Sequence, residues 1–208
     1  QKEHDFMPDP RSALAAVYEV GQFGIHTDPA AIMVFERKNC DLLQISGWPE
    51  SFASVTRQLE AILKCEIPTD GAKAVSHGEL AVFRIGPERL WLTGPGLALL
   101  EAPIENALSV DEAVVTDLGH SRTILRIFGL GARTMFSRGL PIDLDESAFA
   151  PNAFAQSLIH HIPVLVHRVG LRDEVAFDAY VPRDYAVSFW GWLTAAAAPI
   201  GGHVEEPR

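Results

Sequence analysis

Two cysteines in 208 residues, Cys40 and Cys65, are too few for a disulfide scaffold, and their spacing fits no metal-ligand pattern. Both are expected as free thiols in apolar surroundings. No run of about 18 apolar residues exists, so no membrane-spanning helix is expected. Positive charge is scarce: 17 Lys and Arg stand against 27 Asp and Glu, for a net charge of −10. With no Lys/Arg-rich run, this argues against nucleic acid and against an anionic membrane surface. The opening residues Gln1-Lys-Glu-His-Asp5 lack the apolar stretch of a signal peptide, and the expected location is cytoplasmic.

What is present is ordinary for a globular protein: 48% hydrophobic and 21% charged residues. A chain of this length buries roughly 70% of its unfolded surface and folds without a staple. Residues 1–30 carry three prolines and weak periodicity, with a helix-compatible piece at Ser12–Val20. They read as an N-terminal arm, followed by one α+β domain over 31–200. Strands are expected at Ala31–Phe35, Leu42–Ser46, Leu80–Ile85 and Arg89–Thr93, and a helix capped by Ser51 from Phe52. A short helix is expected at Leu97–Leu108. Beyond it, strands are expected at Ala113–Leu118, Thr123–Phe128, Ala155–Ile159, Val164–Val169 and Ala176–Val181, with a helix opened by Gly129-Leu-Gly131 and containing Ala132, Met135 and Phe136, and a terminal helix after Pro182. Residues 31–108 and 113–198 repeat one grammar. Leu43-Gln-Ile-Ser-Gly47 matches Leu125-Arg-Ile-Phe-Gly129, and the strand-to-helix Pro95 matches Pro182. The expectation is two strand–helix–strand modules, an internal pseudo-repeat, with their strands in one sheet system.

No catalytic constellation is complete. Ile127-Phe-Gly-Leu-Gly-Ala-Arg133 has a dinucleotide loop's position but Thr134 where a third glycine would stand. A tight strand-to-helix turn is the better reading. His160 and His161 point to opposite faces of a strand, and Pro163 separates them from His167, so solvent-facing or hydrogen-bonding histidines are expected rather than a metal site. Asp117, His120 and Ser121 bring triad residue types together without a nucleophile elbow. The expectation is that Asp117 and Ser121 satisfy backbone donors in a turn while Arg122 reaches an acidic partner. Trp190 and Trp192 lie roughly 200° apart on a helix, so one ring should face outward, toward a partner or under the arm. With His120, Arg122 and Arg183, they form the candidate partner surface, since Trp and Arg are enriched at interfaces.

Four ordered motifs carry a family likeness: Asp117-Leu-Gly-His-Ser-Arg122, Gly139-Leu-Pro-Ile-Asp-Leu144, Ala155-Gln-Ser-Leu-Ile159 with Val164-Leu-Val-His-Arg168, and Phe177–Ala186 leading into Trp190–Leu193. Over roughly Leu80 to Ala198 the chain resembles the gamma subunit of heterotetrameric sarcosine oxidase. Gly119 replaces the family's Ser, and Leu140 stands where the family has Cys. The resemblance implies a folate-binding aminomethyltransferase-like domain and a non-catalytic subunit. It implies an enzyme that oxidatively demethylates sarcosine or another N-methyl amino acid. FAD, covalently held FMN, NAD, tetrahydrofolate and zinc belong to partner subunits: large flavin-containing alpha and beta chains and a small zinc-binding delta chain. No catalytic, cofactor or metal residue is expected here. The folate loop of transferase relatives would fall near Pro151–Ser157, where its Cys and Glu are absent. A stand-alone folate-binding one-carbon transfer protein is the alternative, and a small hydrolase using Ser121 a third reading.

Overall fold

The computed structural model describes residues 11–170 and 175–208; the start of the expected arm, residues 1–10, lies outside them. In chain order the first strands are β1 (Gly21–Phe23), β2 (Ile32–Glu36), β3 (Asp41–Gly47), β4 (Val75–His77), β5 (Leu80–Gly86) and β6 (Arg89–Gly94). Helix α1 (Phe52–Leu63) follows β3, and α2 (Ala98–Ala107) follows β6. The later strands are β7 (Ala113–Asp117), β8 (Arg122–Phe128), β9 (Phe154–Ile159), β10 (Ile162–Val169), β11 (Ala176–Pro182) and β12 (Gly202–Val204). Helix α3 (Ala132–Phe136) follows β8; a 3-10 turn at Arg183–Tyr185 leads into α4 (Ala186–Ala197).

The strands form two sheets rather than one sheet system, in the orders β1-β12-β2-β8-β11-β10-β9 and β4-β5-β6-β3-β7. Read from matching edges, β2-β8-β11-β10-β9 repeats β7-β3-β6-β5-β4. The repeat is therefore written in the topology, but the two halves exchange their leading strands. β2 pairs with β8, and β7 pairs with β3, so each sheet is completed by the other half of the chain.

Alternation along the strands explains the layering. Leu43, Ile45, Val82, Leu90 and Leu92 face α1 and α2, whereas Leu42, Ala81, Phe83 and Trp91 face the second sheet. In the larger sheet, Val34, Leu125, Ile127, Val166 and Phe177 face α3 and α4, and Ile124, Phe154, Leu165 and Tyr180 face inward. Helices thus cover the outside of both sheets, and a third apolar layer lies between them. α1 buries Phe52, Val55, Leu59 and Leu63, one face at helical spacing. Ser51 stands at its N-cap position, yet its hydroxyl makes no cap bond and instead donates to the Glu112 carbonyl at 2.7 Å. The expected cap is thus a tether to the start of β7. The Ser12–Val20 piece forms turns rather than a helix; the Ser12 hydroxyl accepts from the Leu14 amide at 2.9 Å, and Leu14 itself is fully buried. The three-residue strands β1, β4 and β12 carry too little pattern to be read from sequence.

Candidate functional site

Three of the five candidate contact residues meet in one place. His120 on the β7–β8 turn, Arg122 at the start of β8, and Arg183 after β11 line a cleft of roughly 300 Å³ with Arg11, Arg37 and Lys38. Its acidic lining residue, Glu36, is buried and already held by the Ser12 hydroxyl at 2.7 and 2.8 Å. Arg37 is bound to Asp178, and Arg183 donates to the Arg11 carbonyl. Among the described residues, Lys38, Arg122 and Arg183 make no ion pair. Arg122 does not reach the expected acidic partner. It donates to the Ser121 carbonyl at 3.0 Å and lies 5.1 Å from the centre of the Trp91 ring. Burial without a counter-charge lowers its pKa below the usual arginine value. A concave cationic patch on a chain of net charge −10 is suited to a negatively charged surface.

The triad types are committed to structure. Asp117 accepts the Gly119 amide at 2.7 Å, and the Ser121 hydroxyl donates to the Leu118 carbonyl at 2.7 Å, so both fix the turn that presents His120 and Arg122. The glycine loop is equally filled. Gly129 has φ +105°, a Cβ there would meet the Ala31 carbonyl oxygen at 2.6 Å, and the Gly131 amide donates to that same carbonyl at 2.9 Å. The glycines admit the entry to β2, leaving no cradle for a phosphate.

The tryptophans lie elsewhere. Trp190 is only 6% exposed, stacked on Tyr18 at 5.0 Å between ring centres. Tyr18 is fixed by donating to the Glu205 carbonyl at 2.7 Å and accepting the Glu36 amide at 3.1 Å; burial pushes its hydroxyl pKa up to about 12, against the Glu36 amide, which acts in the opposite sense. Trp192 is half-buried, 5.5 Å from Phe189 and 6.2 Å from Phe136, over Gly139, where a Cβ would lie 2.7 Å from the indole nitrogen. Of the two expected covers, a partner or the arm, the arm is the one seen: Tyr18 covers Trp190, and α3 with Gly139 takes much of Trp192. Cys40 is buried and Cys65 half-buried, both free; burial raises both thiols.

A second polar cluster escaped the sequence reading. Arg126, Asp178 and His167 stand directly across from one another on β8, β11 and β10, on the face that looks toward the smaller sheet. Asp178 is 1% exposed and accepts from Arg126 Nε at 2.8 Å, Arg126 Nη2 at 2.8 Å and Arg37 Nη1 at 2.9 Å. His167, expected to face solvent or to be hydrogen-bonded, is buried; neither ring nitrogen has a partner among the described residues. The Tyr180 hydroxyl is likewise buried and, among the described residues, makes no hydrogen bond of normal geometry, although the Thr93 side chain lies near it. Each such group costs about 1–3 kcal/mol. Burial depresses the His167 pKa to about 4, with Arg126 and Arg37 acting in the same sense and Asp178 opposing them. Burial, then Asp178, pushes the Tyr180 hydroxyl well above its usual range. Among the described residues no group of His, Cys, Asp and Glu is arranged to hold a metal. The alternation in Phe177-Asp-Ala-Tyr-Val181 was the available signal, because it puts Asp178 and Tyr180 on one face of a buried strand.

The sequence matches no family profile and no curated protein. The structure does match known ones. It superposes with a TM-score of 0.76 on a chain of heterotetrameric sarcosine oxidase from Corynebacterium sp. U-96, at 21% identity, covering 86% of this chain and 88% of that one. It superposes with a TM-score of 0.59 on the glycine cleavage system aminomethyltransferase T of Bartonella henselae, at 18% identity, covering 86% of this chain but 48% of that one. The chain therefore has an α+β fold of the aminomethyltransferase type, shared along most of its length with a chain of heterotetrameric sarcosine oxidase.

Proposed function

We propose that this chain is a non-catalytic, gamma-type subunit of a sarcosine oxidase-type flavoenzyme, a complex that oxidatively demethylates sarcosine or another N-methyl amino acid. Its role is packing and assembly, and the flavins and other cofactors sit on partner chains. One observation carries the reading: the fold match spans 86% of this chain and 88% of the oxidase chain, an end-to-end correspondence. The aminomethyltransferase, by contrast, has about half its length unaccounted for. That asymmetry supports a subunit over a stand-alone one-carbon transferase.

The cationic cleft of Arg122, Arg183, His120 and Lys38 is the proposed partner contact. Guanidinium groups with no counter-charge among the described residues are suited to bidentate pairing with carboxylates on an incoming surface. The test is co-expression with the genomic neighbours, followed by sizing and a flavin spectrum. A colourless chain that joins a yellow complex is the expected result. A chain that stays alone beside its neighbours and binds tetrahydrofolate would overturn it in favour of the transferase reading.

A further inference from the structure

The inter-sheet cavity that holds His167 and Tyr180 has no place in the assembly role. It measures roughly 440 Å³, within the usual range for small-molecule sites, and reaches solvent past the exposed residues Ser76, Gly78 and Glu79. Among the described residues, three buried polar atoms on its inner wall have no partner: both His167 nitrogens and the Tyr180 hydroxyl. Buried polar groups are almost always paired, so three together at one cavity wall point to an occupant.

The charges identify its chemistry. Asp178 is saturated by Arg37 and Arg126, which leaves two guanidinium charges against one carboxylate and a local excess of +1. Neutral His167 offers one N–H and Tyr180 one O–H; the Thr93 side chain lies near the Tyr180 hydroxyl but makes no hydrogen bond of normal geometry with it, so both donors are open to an occupant. Glu79 stands at the mouth, exposed, where water screens it. Two donors beside a single excess positive charge match the two oxygens of one carboxylate. We propose that this cavity binds a small free monocarboxylate, with Tyr180 and His167 donating to its oxygens and the Arg37–Asp178–Arg126 cluster supplying the balancing charge.

The experiment uses the whole chain with sodium acetate as probe and sodium chloride at equal ionic strength as control. The His167 ring signals are followed by NMR, and thermal unfolding is followed in parallel. Acetate, unlike chloride, is expected to shift the His167 ring saturably at millimolar concentration and to raise its pKa, since an anion favours imidazolium. Tyr180→Phe is expected to unfold at the same temperature or higher without ligand, because it deletes an unpaired hydroxyl. It should weaken acetate binding about tenfold. His167→Gln, which keeps a donor, is the second variant and should bind acetate without the pH-dependent ring signal. Equal responses to acetate and chloride, or no saturable response, would overturn the proposal. So would a Tyr180→Phe protein that is less stable than wild type yet keeps its response to acetate, because an ordered water would then be the hydroxyl's partner.

Discussion

Asp178 is the carboxylate this chain can least afford to lose. It is bound by Arg37 and Arg126, whose side chains are themselves 14% and 20% exposed. Asp178→Asn keeps the shape but strands two cations, and is expected to lower stability by about 3–5 kcal/mol in urea unfolding. His167 adds a pH dependence of definite sign. Its folded pKa of about 4 lies below the unfolded value of about 6.5, so the unfolded state binds the proton first. The contribution is complete above pH ~6.5 and is lost as pH falls toward 4, up to about 3 kcal/mol. Urea midpoints measured across that window should fall with acid, and His167→Leu should flatten that limb. Trp190→Ala belongs with these changes. A ring that is 6% exposed and stacked on Tyr18 supports the fold itself, so its truncation should cost about 3–5 kcal/mol rather than act on assembly alone. The spacing of Trp190 and Trp192 was legible in the sequence. What covers each ring was not, because Tyr18 and Gly139 approach from distant parts of the chain.

At the scale of elements, the hydrophobic period told most of the story. The longer strands and all four helices stand close to their expected places because alternation and helical spacing are local properties. Turn chemistry at Asp117–Ser121 was equally readable. Gly129 links this level to the next. It lets β8 pass directly under Ala31 at the entry to β2, so Gly129→Ala meets both a φ of +105° and a carbonyl oxygen at 2.6 Å. The expected loss is roughly 2–3 kcal/mol, read by thermal unfolding, and the strain should appear in amide exchange along β2 and β8. The same substitution at Gly191, where a Cβ meets nothing and the residue is helical, should be neutral or stabilising.

For the whole molecule, charge distribution matters more than total charge. The chain is strongly acidic, yet Arg122, Arg183, Lys38 and His120 line one concave surface. Arg122→Glu with Arg183→Glu should abolish co-purification with the proposed flavin-bearing partners while leaving the thermal unfolding of the isolated chain within a few degrees. Wild-type association should weaken steeply as salt rises, which sedimentation at several ionic strengths would show. Intact, salt-insensitive assembly in the double variant would remove the cleft from the interface.

The sequence by itself determined the α+β class, the order of its main strands and helices, and the duplicated grammar around Gly47 and Gly129. These follow from local periodicity and from glycine at matching strand ends. Tertiary structure decided that the halves trade leading strands between two sheets, because strand pairing is non-local and no residue spacing encodes its partner. It also decided that His120, Arg122 and Arg183 share a cleft, and that Arg37, Arg126, His167, Asp178 and Tyr180 meet around a cavity. Those side chains come from β8, β10, β11 and the residue after β2, neighbours in the larger sheet, and only its non-local strand pairing brings them together.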